Sequence, residues 1–311
     1  MANTIQGIHH ITAIAGDAKR NYRFYTEVLG LRFVKKTVNF DDPETYHFYY
    51  GNEFGAPGTI LTFFPWANVQ PGRAGARQAT QIGYSVPAGS LEFWQQHFKN
   101  HGVEQQKIAE KFGERFLAFT DPDGLQLELI ESKITDNRTG WHTEAINENN
   151  ALKGFYNVTI TTNKIQPTAD VLTKVFGYHL QQQSGNIYRF VTDEIATANT
   201  IDLVEVPGAI TGHVAGGSVH HVAFRVSDET VLMEFRDKVE AAGLSITEKI
   251  DRNYFYSLYF REPGGVLFEI ATDNPGFAID EPVAELGTHL MLPAQYEKYR
   301  EQLVKVLPQI N

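Results

Sequence analysis

Apolar and polar residues along this chain change period in a fixed order, and the order repeats. From residue 4, "IQGIHHITAIA" reads as a strand, "AKRNYRFYTEVLG" as a helix, and "LRFVKKTVNF", "TYHFYYGN" and "GTILTFFPW" as three further strands. The same order returns at 77–133, from "ATQIGYSVP" through "SLEFWQQHFKNHG" to "LQLELIES". A third copy covers 153–207, and a fourth runs over 217–275, from "GSVHHVAFRVS" to "GGVLFEIATDNPG". "DPDG" (121–124) and "EPGG" (262–265) read as tight turns before a last strand. The pattern predicts an α+β fold of four βαβββ modules, at 4–66, 77–133, 153–207 and 217–275. The polar, irregular stretch 134–150 reads as a linker. It divides an N-terminal pair of modules (1–140) from a C-terminal pair (141–311) that ends in a helix. That last segment, "AQYEKYREQLVKVL", spaces Tyr296, Tyr299, Leu303 and Leu307 by three or four. It predicts an amphipathic helix packed on the body or on a neighbouring subunit of a homo-oligomer.

Composition narrows the function classes. With 42% apolar and 21% charged residues the chain has a globular composition, and 21 Phe and 14 Tyr favour strands and an apolar pocket. A formal charge of −10 argues against nucleic acid and anionic membrane surfaces as partners. No stretch approaches the roughly 20 apolar residues that span a bilayer. The start "MANTIQG" has neither a basic nor an apolar segment of the secretory kind, so the expected location is the cytoplasm. There is no cysteine, which excludes disulfides, thiolate metal sites and cysteine nucleophiles.

The candidate chemistry emerges when the modules are superposed. Aligned on apolar pattern, the first strands read "HHITAI", "TQIGYS", "YNVTIT" and "HHVAFR", so one column holds His10, Gln81, Asn157 and His221. Counting from that column, a carboxylate follows in three modules: Glu128, Glu205 and Glu269, after 47, 48 and 48 residues. Only modules one and four also carry histidines. A single buried histidine is more often structural, but a duplicated pair with a register-matched glutamate points to a metal. His10, His221 and Glu269 make a two-histidine, one-carboxylate triad, the arrangement of non-haem Fe(II) oxygenases. This requires module one to pair with module four. Modules two and three then form a second cup without imidazole ligands, expected to be structural. Strand alternation favours His221 over His220 as ligand, because His220 shares a face with Val222, Phe224 and Val226, the side expected to meet a helix. His9 and His220 are accordingly expected beside the site, as catalytic or substrate-contacting residues. His47, in "TYHFYY", is a further candidate for the lining. His97 and His101, at a polar helix end, are expected to be solvated.

"FYTEVLGLRF" resembles the helix-to-strand passage of the vicinal oxygen chelate superfamily, which includes glyoxalases and extradiol dioxygenases. "GIHHITAIAGD", the string from "LGLRFVKKTVNF" to "LTFFPW", "GSVHHVAFRV" and "LPAQYEKYREQLVKVLP" resemble the hydroquinone-type ring-cleaving dioxygenases, over nearly the whole chain. The resemblance implies modules paired into two barrel-like cups, the glyoxalase/bleomycin-resistance/dioxygenase fold. It implies an Fe(II) enzyme that opens a hydroxylated aromatic ring, a 1,4-hydroquinone, with O2. The ligands it implies are His10, His221 and Glu269, and the neighbours are His9, Thr12, His220, Arg252 and Tyr259. Chemically, His9 or His220 could take a phenolic proton, Tyr259 could donate one, and Arg252 could stabilise negative charge.

Two other classes fit the same fold. One is a non-redox glyoxalase-like isomerase or thiol transferase using Zn, Mn or Ni, and the other a resistance protein that sequesters a small aromatic. Glyoxalase-type sites carry two carboxylates, whereas one is matched here, and sequestration has no use for an aligned triad.

Overall fold

The computed structural model describes residues 3–310; Met1, Ala2 and Asn311, the outer ends of the two halves, lie outside the described residues. Module one runs β1 (Ile8–Ala15), α1 (Ala18–Arg23), β2 (Arg32–Val38), β3 (Tyr46–Gly51) and β4 (Ile60–Pro65). Module two runs β5 (Gln78–Val86), α2 (Leu91–Asn100), β6 (Ala109–Lys111), β7 (Glu114–Thr120) and β8 (Gln126–Glu131). Module three runs β9 (Gly154–Thr162), α3 (Gln166–Asp170), β10 (His179–Ser184), β11 (Ile187–Val191) and β12 (Thr200–Glu205). Module four runs β13 (Ser218–Val226), α4 (Glu229–Ala241), β14 (Ile250–Asp251), β15 (Phe255–Arg261) and β16 (Leu267–Pro275). Helix α1 starts where the Asp17 carboxylate accepts the Arg20 N–H, and it ends in a π-helical turn, Phe24–Val28. Gly30 follows at φ 65°, the left-handed position that favours glycine at a helix end.

The strands form two eight-stranded sheets. One has the order β14-β15-β16-β13-β1-β4-β3-β2, and the other β10-β11-β12-β9-β5-β8-β7-β6. Module one is therefore joined to module four through β1 and β13, and module two to module three through β5 and β9. Each sheet draws one module from either side of the 134–150 stretch. That stretch has no helix or strand, yet it is anchored: Ile146 is fully buried, and Arg138 donates to the carbonyls of Gly58 and Phe155.

One face of the first sheet is apolar. Val222, Phe224 and Val226 on β13, with Phe268 and Ile270 on β16, are buried against Phe176 and Phe235. The other face holds the polar column. In each module the residue two beyond that column faces the last strand of its own module: Thr12 faces Thr62, Gly83 faces Glu128, Thr159 faces Asp202 and Ala223 faces Glu269. This corrects the module-three assignment. Asp202, not Glu205, stands level with Glu269; Glu205 sits at the strand end and accepts the Ile165 N–H.

The C-terminal segment divides into a 3-10 stretch, Ala294–Tyr299, and α5 (Arg300–Val306). Leu303 and Leu307 pack inward and Tyr296 donates to the Phe40 carbonyl, but Tyr299 is exposed. His97 is also a correction. Its ring is buried against Trp94 and hydrogen-bonded to the Val28 carbonyl, so it ties α2 to the end of module one's helix. No helix among the described residues is long and apolar enough to cross a membrane.

Candidate metal centre

Two β-bulges build the site. Along β1 and β13 the pairing passes from Ile8–Phe224 to His10–Ala223, so His9 is an extra residue on β1. Further along it passes from Thr12–His221 to Ala13–Val219, so His220 is an extra residue on β13. A bulge breaks the two-residue alternation of side chains. This is why His220 departs from its expected place on the helix-packing face: it lines the cavity together with His221. The second sheet carries the same bulges at Thr80 and Tyr156. The irregularity therefore belongs to the module, and the histidines exploit it.

His10, His221 and Glu269 come together. Glu269 Oε2 lies 2.8 Å from His221 Nε2 and 3.2 Å from His10 Nε2, and the two Nε2 atoms are 3.4 Å apart. All three residues are buried, Glu269 completely. Among the described residues Glu269 Oε2 accepts no hydrogen bond, an orphaned carboxylate oxygen in the interior. Its Oε1 accepts from Ser257 Oγ at 2.5 Å. Burial opposes ionisation of Glu269, and positive charge on the His10 and His221 rings would outweigh it and hold the carboxyl well below its ordinary range; with the rings neutral, that charge must come from a bound cation. Three ligand atoms at right angles around one ion, each about 2.1 Å away, stand about 3 Å apart. The observed spacings and the orphaned oxygen fit a divalent cation.

The partners of the two rings fix their tautomers. His9 Nε2 faces the Thr272 carbonyl at 3.0 Å, and a carbonyl only accepts, so the His9 proton sits on Nε2. Burial lowers the His9 pKa well below its ordinary value, so the ring is neutral and its Nδ1 is an acceptor. His10 Nδ1, 2.9 Å away, must then donate to it, which leaves a bare lone pair on His10 Nε2. Across the pseudo-twofold, His220 Nδ1 lies 2.8 Å from His221 Nδ1. The His220 Nε2 finds no partner among the described residues. Burial holds His220 down at about 3 and lowers His221 as well.

Above the triad opens a cavity of about 460 Å³. Phe40, Phe64, Trp66 and Phe255 supply aromatic wall, and His47, Tyr49, His220, Arg252 and Tyr259 supply the polar groups. Arg252 Nε donates to the Tyr259 hydroxyl at 3.2 Å, its guanidinium lies over the Phe40 ring, and its Nη1 is 3.5 Å from Asp41. Burial raises the Tyr259 pKa, and Arg252 only partly offsets it, so the phenol stays protonated. His9 and Thr12 do not line the cavity; they support it from behind. Thr12 Oγ1 bonds Thr62 Oγ1 at 2.8 Å, and Thr62 Oγ1 is 2.9 Å from His47 Nε2. Thr62 and Ser257 escaped the sequence reading: the step that finds the other carboxylates leads from His10 to Gly58, and only the register of β1 with β4 brings Thr62 level with Glu269. A hollow of about 420 Å³ around Gly16, Arg20 and Asp123 is lined by no histidine.

In the second sheet protein cations fill the corresponding place. Lys111 Nζ lies 3.0 Å from Glu128 and 3.8 Å from Asp202, and Arg189 grips Asp202 with both Nε (2.8 Å) and Nη2 (2.9 Å).

The comparisons with known proteins agree with this architecture. The chain is 44% identical over 305 residues to "Putative ring-cleaving dioxygenase MhqO" of Bacillus subtilis, covering 97% of this chain and 96% of that one. It is 33% identical over 311 residues to the "Chlorohydroquinone/hydroquinone 1,2-dioxygenase" of Sphingobium indicum, covering 97% and 96%. The crystal structure of a "putative dioxygenase" from Bacillus subtilis superposes with a TM-score of 0.95 at 42% identity, over 100% of this chain and 99% of that one. Maize glyoxalase I shares the fold at a TM-score of 0.66 and 15% identity, over 91% of this chain and 97% of that one. With residues 7–129 and 154–270 matched by its family model, the chain belongs to the Glyoxalase/Bleomycin resistance protein/Dioxygenase superfamily.

Proposed function

We propose that this protein is an Fe(II)-dependent ring-cleaving dioxygenase that opens a hydroxylated aromatic ring, a 1,4-hydroquinone, with O2. One observation carries the reading: a single orphaned carboxylate oxygen and two Nε2 atoms converge beneath an aromatic-walled cavity. His10, His221 and Glu269 would hold the iron. When bound, Fe(II) supplies open positions where a phenolic oxygen and O2 meet. The names of the relatives support the substrate class.

The remaining roles follow from the protein's own atoms. His10 and His221 ligate through Nε2 only if each keeps its proton on Nδ1. His221 then donates to His220 Nδ1, and the neutral His220 carries its proton on Nε2, facing the cavity. We therefore assign His220 as a hydrogen-bond donor to the substrate oxygen, stabilising negative charge as it develops. His9 has the same polarity, but its Nε2–H is spent on Thr272, which makes it the residue that orients His10. Arg252 adds fixed positive charge at the cavity wall. Because the Tyr259 oxygen accepts from Arg252, its own proton remains available to a substrate oxygen. Phe40, Phe64 and Trp66 exclude water and hold the ring.

The test is anaerobic loading with Fe(II), followed by oxygen uptake on hydroquinones, catechols and a methylglyoxal–thiol adduct. Consumption of one O2 per hydroquinone ring opened is the expected result. Turnover of the thiol adduct without O2, and no uptake on any dihydroxybenzene, would move the protein to the isomerase class.

A further inference from the structure

The two halves of the site are related by the module repeat, and they differ at one corner. Glu269 faces Ala223, two residues beyond His221; Thr62 faces Thr12, two residues beyond His10. Thr62 therefore stands where a second carboxylate would complete a symmetric site. The other two modules keep a carboxylate at this position, Glu128 and Asp202, so Thr62 is the exception among four.

The neighbouring strand has changed with it. Tyr49 faces Thr62 as Tyr259 faces Glu269, and two residues before the tyrosines stand His47 and Ser257. In module four Ser257 holds the carboxylate through its Oε1. In module one the buried Tyr49 hydroxyl lies 2.9 Å from His47 Nδ1, and no other acceptor for it appears among the described residues. His47 then carries its proton on Nε2 and donates it to Thr62 Oγ1, whose own proton goes to Thr12. The Thr62 hydroxyl is thus fully engaged and turned to its own strand neighbours. Serine–glutamate in one module has become histidine–threonine in the other.

We propose that Thr62, held by His47, is the residue that limits the centre to three protein ligands and so selects for oxygen chemistry. The inference rests on the metal reading above. A carboxylate at position 62 would take one position needed by substrate or O2, add a negative charge, and supply a base of the kind that proton-shuttling isomerisation uses. Threonine does none of these, and His47 fills the vacated volume as cavity wall, packed on Phe64 at 4.4 Å.

The test uses full-length protein stripped of metal and titrated with Co(II), read by visible absorption and by competition with a chelator. Wild type should take one Co(II) per chain. Thr62→Glu combined with His47→Ser should bind it roughly tenfold more tightly, because an anionic ligand has been added. The visible bands should weaken and shift as an oxygen ligand joins. Placed in a Glu269→Ala background, the same pair should restore most of the affinity that Glu269→Ala removes. Unchanged affinity and spectrum together with no rescue, in variants whose circular dichroism shows a native fold, overturn the role of Thr62. No Co(II) binding to wild type would instead sink the metal reading. If Thr62→Glu does not fold, Thr62→Gln carries the same measurement without burying a charge: a spectral shift supports the proposal, and an unshifted spectrum overturns it.

Discussion

His9 Nδ1 lies 2.9 Å from His10 Nδ1, and the same His9 ring is pinned through Nε2 to the Thr272 carbonyl at 3.0 Å. A backbone carbonyl on β16 thus sets, through one imidazole, the tautomer of the next. His9→Phe keeps the ring volume and removes the acceptor. Its expected effect is a loss of roughly 10–100-fold in metal affinity, the usual cost of removing a ligand's outer partner. Chelator competition on the folded variant measures it, and an unchanged affinity would show that His10 needs no help from His9.

His220 makes the matching bond to His221, but its Nε2 opens on the cavity, so its removal should act on turnover as well. His220→Gln can still present an N–H donor, whereas His220→Phe cannot. His220→Phe should weaken metal binding roughly 10–100-fold, as His9→Phe does, and at saturating Fe(II) its kcat should also fall on the order of 100-fold, with a much smaller fall in His220→Gln. Steady-state oxygen uptake separates kcat from KM. Equal loss in both variants would point to a steric role for the ring.

The repeat was legible from spacing, because apolar period and turn chemistry are local properties; the grouping of His10, His221 and Glu269 came from the matched column and step, and the pairing of module one with module four from requiring those three to share one ion. The face of His220 was not. A bulge adds one residue to a strand without a compositional signature, and after it every alternation argument inverts. Glu205 misled for a related reason: Asp202 and Glu205 lie three apart on one strand, and only the parallel register with β9 tells which is level with Glu269. His97 looked solvated because its helix end is polar, but its partner, the Val28 carbonyl, comes from another module.

Stability should depend on pH in a direction set by these buried rings. His9, His47, His220 and His221 are all lowered by burial, so in the metal-free protein they stay neutral where the unfolded chain takes up protons. The unfolded state then binds more protons, and stability falls as pH drops below about 6.5. Each such histidine contributes up to about 1.4 kcal/mol per pH unit in that window, down toward its folded value. Asp121, raised to about 6 by burial, works in the opposite sense, as do the raised carboxyls of Glu128 and Glu262, whereas His97 is lowered like the other four rings. Thermal melts of metal-free protein between pH 7 and 5 should show Tm falling. His47→Gln should flatten the slope by about one proton. A Tm that rises on acidification would mean that the rings are charged in the folded state.

The second sheet supplies the last prediction, which concerns how many ions the chain binds. Its register positions hold Gln81, Asn157, Glu128 and Asp202, two neutral amides and two carboxylates, a set that could attract a hard cation. The Lys111 ammonium already lies between the carboxylates, and the Arg189 guanidinium caps Asp202 from the other side while also reaching Glu114 at 3.0 Å. Arg189 and Asp202 are both buried, so this is an interior ion-pair cluster whose charges are already compensated. Metal analysis of reconstituted protein should therefore give one ion per chain, and Glu128→Gln should leave that ratio unchanged. Lys111→Met should destabilise the fold by about 3 kcal/mol, since it leaves a buried carboxylate without its cation. Glu128→Gln together with Lys111→Met should recover much of that loss, because neither charge then remains. The double-mutant cycle on urea midpoints decides it: additive losses would show that the two residues do not act as a pair, and two ions per wild-type chain would show that the lysine does not exclude a metal.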